Sequence, residues 1–136
     1  MGQHPMFYPM GILALLTVIV LLLIPVRRFA AGRRGAVKFA DFRFGESAAV
    51  PGEVSIPNRN YMNLLEFPVL FYVGALMFDV AGKVDWISLT LAWCYVGCRA
   101  VHSVIHLTYN DVSHRLAAFT TSNVVLILFW IVLFAL

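Results

Sequence analysis

Charge is what this chain has least of. Only 12% of its 136 residues are charged, 7 of them acidic, and none lies between Met6 and Val26. A soluble domain usually carries about 25% charged and about 45–50% apolar residues, whereas 61% of this chain is hydrophobic. That balance excludes a water-soluble globular domain. Cysteine is equally sparse. The 2 cysteines, Cys94 and Cys98, fall within one apolar run at a spacing that puts both on the same helical face, where they are too constrained to bridge each other. They read as packing residues, and no further ligands stand at a matching depth to make a metal site. The net charge of +3 is small and gives no support to a nucleic-acid partner. Internal repeats and low-complexity tracts are also missing.

What is there is long apolar runs. A membrane span needs roughly 20 largely apolar residues to cross a hydrocarbon core of about 30 Å. Runs over 6–26, 61–81, 86–109 and 116–136 meet that length, so the expected fold is an all-α, four-helix transmembrane bundle in a single domain, 1–136. The first run is not a secretory signal, because its positive charge comes after the apolar stretch and not before it. Arg27, Arg28, Arg33, Arg34, Lys38, Arg43 and Arg59 gather between the first two runs, Arg115 lies between the last two, and Lys83 alone sits on the other side. By the positive-inside rule the 27–60 loop and the 110–115 turn face the cytoplasm, and both termini face away from it. The 27–60 segment shows no sustained helical period and reads as a loop with at most a short surface element. Gly82 to Asp85 makes a tight turn, and Asp111 or Ser113 is placed to cap the last helix.

The ionisable residues that interrupt the runs are the informative ones, since a charge near the middle of a span costs at least about 2.5–3.5 kcal/mol. Arg59, Asn63 and Glu66 fall on one face of the second span, and Pro68 after them predicts a kink with an exposed acceptor. Arg99, His102, His106 and Tyr109 fall on one face of the third. At about 1.5 Å of rise per residue, Arg99 lies about 15 Å from Tyr109 and Glu66 about 10 Å from Arg59, so an ion pair between Glu66 and Arg99 is the simplest way to neutralise both. One reading of this polar stripe is glue between helices. Its crowding into the cytoplasmic half argues against a proton pathway through the full bilayer depth, because the outer half holds only Asp79, Lys83 and Asp85. It argues for a pocket open to the cytoplasm, basic on balance, and suited to an anionic ligand whose apolar partner arrives through the membrane.

The string Arg59-Asn60-Tyr61-Met62-Asn63-Leu64-Leu65-Glu66-Phe67-Pro68, with Phe71 after it, resembles the second-helix signature of the MAPEG family, the membrane-associated proteins in eicosanoid and glutathione metabolism. Arg99-Ala100-Val101-His102 resembles its third-helix signature. With the four-run layout and the basic first loop, the resemblance covers nearly the whole chain. It implies a homotrimer of four-helix subunits that binds glutathione between neighbouring subunits. Carried over by position, Arg59, Asn63, Glu66, Arg99, His102 and Tyr109 would hold glutathione, and Arg115 would sit near its sulfur. Where many members have a tyrosine, seven residues after the third-helix arginine, this chain has His106, with Tyr109 one turn further on.

The resemblance implies a membrane-bound glutathione-dependent transferase or peroxidase acting on hydrophobic electrophiles. Arg115 and His106 are its catalytic candidates, glutathione its cosubstrate, and lipid or a hydrophobic small molecule its other partner. The alternative is a non-catalytic, trimeric lipid-binding protein on the same scaffold. No retrieval signal is visible at the hydrophobic C-terminus, so a bacterial inner membrane is expected over the endoplasmic reticulum.

Overall fold

A computed structural model describes residues 4–135, and among these the regular elements are helical. Helix α1 spans Phe7–Arg33, α2 Gly52–Leu65, α3 Pro68–Val80, α4 Trp86–Leu107 and α5 Val112–Ala135, with a short 3-10 turn at Phe39–Phe42. Three segments are long and apolar enough to cross a bilayer: Phe7–Arg33, Gly52–Val80 and Val112–Ala135. Helix α4, the remaining one of the four runs, falls outside that set by composition and not by length. Its 22 residues suffice in length, but its buried face carries Ser88, Arg99, His102, Ser103 and His106, and these side chains dilute its hydropathy.

Two further differences from the sequence reading have local causes. Helix α1 runs past Val26 to Arg33. The segment read as a loop up to residue 60 is helical from Gly52 onward. Pro51 and Pro57 mask the helical signal, since proline removes a backbone donor, yet burial overrides that weak propensity. Val54 packs with Ala31, Val37 and Val50 in a small core at the charged end of α1, with Phe42 against it.

The kink expected at Pro68 is a full break. Helix α2 ends at Leu65, Glu66 adopts φ −80° and ψ −93°, and Pro68 opens α3, where its missing N–H has no helical acceptor to lose. Helix α3 closes around Gly82 at φ +63°, where the Lys83 N–H donates to the Phe78 carbonyl over 3.0 Å. Asp85 then starts α4 by a reciprocal cap: the Ser88 N–H donates to Asp85 Oδ1 at 2.8 Å, and the Asp85 N–H to Ser88 Oγ at 2.9 Å. Both devices satisfy terminal backbone groups that a helix leaves unpaired.

Helix α5 lies along α4, α1 lies against α2 and α4, and α3 meets α5. The main core joins Leu13 and Val20 of α1, Leu64 of α2, Phe71 and Phe78 of α3, Tyr95 of α4 and Phe129 of α5. Leu15, Leu22, Val104 and Ile127, each more than half exposed, point outward. An apolar exterior is what a bilayer solvates and water does not.

Candidate functional site

The break between α2 and α3 builds the site. A helix leaves its last carbonyls without intrahelical donors. Met62 O recovers one from the Glu66 N–H at 3.1 Å, while Asn63 O accepts Arg99 Nη2 at 2.6 Å. Arg99 therefore caps α2 and does not pair with Glu66. The expected ion pair does not form among the described residues, because Glu66 sits on the exposed side of the break while the Arg99 side chain is 0% exposed. The Nε and Nη1 of Arg99 are buried without a partner.

His102 and His106 follow Arg99 along the buried face of α4. Their rings meet edge to face with centroids 5.7 Å apart, and both Nδ1 atoms are buried without a partner. Tyr109 was expected on the same stripe but leaves it. Helix α4 ends at Leu107 and Thr108 turns away at φ −106° and ψ −97°, so the helical period stops before Tyr109. Its ring is 60% exposed and its hydroxyl meets His114 Nδ1 at 3.1 Å. Arg59 is exposed and Asn63 half-buried. The fold thus gathers Arg99, His102 and His106 with the backbone of Asn63, and leaves Arg59, Glu66 and Tyr109 on the surface of the chain.

Arg115 stands in the first turns of α5, half-buried. Its Nη1 donates to Asn110 Oδ1 at 2.6 Å. Asn110 holds the left-handed conformation, φ +49°, as its N–H closes α4 on the Ile105 carbonyl at 2.8 Å. Asparagine tolerates that conformation better than most residues. Asp111 caps α5 as expected, its Oδ1 accepting the His114 N–H at 2.9 Å, and that bond holds its carboxyl below the usual carboxylate range. Ser113 makes no such cap among the described bonds.

Three residues of the site were missed by sequence reasoning. Asn110 clamps Arg115. Asn60, fully buried, accepts Ser103 Oγ on its Oδ1 at 3.3 Å and tethers α2 to α4, while its Nδ2 has no partner. Phe119 lies under the Arg99 guanidinium at 5.6 Å and 5.8 Å from the His102 ring, with Phe67 against it at 5.7 Å. Its signal was available: Phe119 follows Arg115 by one helical turn, on the same face.

A buried guanidinium that caps a broken helix on the Asn63 carbonyl, with two histidines behind it, forms a polar seam of defined composition. The chain matches the MAPEG family profile over residues 6–135. It belongs to the MAPEG family. No curated protein and no solved structure matches the chain. As a MAPEG protein it is an integral membrane protein of glutathione and eicosanoid metabolism in the broad sense. The MAPEG match takes in every residue of the seam.

Proposed function

We propose that this protein is a homotrimeric, glutathione-dependent transferase or peroxidase acting on hydrophobic electrophiles. The observation that carries the reading is Arg115, presented at the start of α5 and aimed by Asn110. Bound glutathione supplies a thiol, which is mostly protonated at neutral pH with an ordinary pKa of about 8.5. A guanidinium stays charged throughout the physiological range and stabilises the thiolate. The positive end of the α5 dipole acts in the same sense.

The remaining residues fit an anionic peptide. The free Nε and Nη1 of Arg99 offer donors to a carboxylate. Asn63 and the exposed Arg59 and Glu66 take the backbone and charged ends of the tripeptide where a neighbouring subunit covers them. His102 and His106 line the buried side, and His106 stands where a thiol-contacting tyrosine is common in the family. Between the two adjacent arginines ending the first apolar run, Arg28 is engaged by Glu46 at 3.0 Å and lies over Phe42. Arg27 is exposed and outside the ion pairs of the described residues, so of these two it is the one free to meet a ligand. With the basic loop facing the cytoplasm, this site opens on that side, and a bacterial inner membrane is the proposed location.

The turning of Tyr109 toward His114 favours one second reading, a lipid-binding scaffold without chemistry. Thiolate absorbance of glutathione added to purified protein near neutral pH separates the two. A signal that saturates in the wild type and disappears in Arg115→Ala is expected. Intact protein with no signal would leave the scaffold.

A further inference from the structure

The polar seam leaves most of the basic first loop unused. A cavity of about 630 Å³ lies where the apolar part of α1 gives way to its charged end, within the roughly 300–1,000 Å³ of small-molecule sites. Its walls run from Ile24, Pro25 and Phe29 on the membrane side to Val37 and Phe42 on the loop side. Arg28, Arg33 and Lys38 stand among them. Glu46 neutralises Arg28, but Arg33 and Lys38 lie outside the ion pairs of the described residues. The cavity therefore offers apolar walls and two cations outside those ion pairs, with the Asp41 carboxylate, which accepts the Lys38 N–H at 2.7 Å, beside the second.

Its depth is marked independently. Phe39 and Phe44, on the loop beside the cavity, are 90% and 92% exposed, and apolar rings interleaved with Lys and Arg suit burial at the boundary of headgroups and acyl chains. A pocket there meets headgroups at its mouth and acyl chains along its wall. Basic pockets at this level attract anionic lipids, each cation contributing about 1 kcal/mol. Gly32 supplies the room: a Cβ built on it meets nothing within 4 Å.

We propose that this cavity is a binding site for an anionic phospholipid, whose phosphate is held by Arg33 and Lys38 and whose first acyl segment lies on Ile24 and Phe29. The site stands apart from the glutathione reading, since none of its lining residues belongs to the seam on α4. It links membrane composition to the junction of α1 and α2.

The test uses full-length protein in neutral detergent, with phosphatidylglycerol and phosphatidylcholine of identical acyl chains and inorganic phosphate as probes, read by native mass spectrometry. Phosphatidylglycerol is expected to stay bound saturably and phosphatidylcholine to be lost. Affinity for phosphatidylglycerol should fall on the order of 30-fold in the double variant Arg33→Ala/Lys38→Ala. Gly32→Leu, which keeps every charge and suits a helix better, should abolish binding by filling the space. Equal retention of the two lipids, binding unchanged in both variants, or displacement by inorganic phosphate alone would each overturn the proposal.

Discussion

A buried arginine without a carboxylate partner is the most telling residue in this protein. Desolvating a guanidinium is costly, and Arg99 recovers only part of that cost from Asn63 O and the face of Phe119. Replacing it with Met removes the charge and also leaves a carbonyl unpaired, a loss of about 1–3 kcal/mol. These effects oppose each other. Arg99→Met should therefore melt within about 2 kcal/mol of wild type while losing glutathione affinity, as calorimetry on the same sample would read. A well-folded variant that still binds glutathione normally would place the ligand elsewhere. Asn110→Gly tests the other arginine. Glycine accepts the left-handed backbone at φ +49° but cannot hold Arg115, so the fold should persist while the thiolate signal weakens, less than in Arg115→Ala. An undiminished signal would mean that Arg115 needs no clamp.

At the scale of elements, the contact of α3 with α5 depends on a missing side chain. A Cβ on Gly74 would lie 3.0 Å from Phe129 Cε1 and 3.4 Å from Trp130 Cε2. Overpacking of this kind usually costs about 1–3 kcal/mol, and Gly74→Val should lower thermal stability in detergent by that amount, with little change for the same substitution at the open Gly11. The start of α5 carries a pH dependence whose sign is fixed by Asp111. The His114 N–H holds its carboxyl below the ordinary value of 3.8, so its capping contribution is complete above that pH and is lost as pH falls through the lower, folded value. Melting curves below about pH 4 should show this loss in wild type and a flatter profile in Asp111→Asn, which caps without titrating.

At the scale of the whole molecule, the protein presents apolar surface to its surroundings, and its motif residues Arg59 and Glu66 are exposed. The proposed homotrimer would cover these two residues where neighbouring chains meet. Native mass spectrometry in gentle detergent should find three chains, and Arg59→Glu should abolish glutathione binding without dissolving the assembly. A stable monomer that binds glutathione normally would show that each subunit is sufficient.

Membrane residence and helical class were legible in the sequence because they depend on composition and run length, which need no tertiary contact. A disturbance at Pro68, expected as a kink, and a cap at Asp111 or Ser113 were legible too, since proline and a capping side chain act on their own neighbours. Two expectations failed for a shared reason. The Glu66–Arg99 pair and the membership of Tyr109 in the stripe assumed that helices continue, but α2 stops at Leu65 and α4 at Leu107, and past a helix end the period no longer predicts which way a side chain points. The first part of α2, 52–60, reads as loop in the sequence because two prolines hide a segment held by burial against α1. Tertiary structure alone decided that Arg99 meets a backbone carbonyl, that Asn110 aims Arg115, and that Phe119 lies beneath the guanidinium. Each of these contacts joins residues whose nearness follows from how helices pack and end.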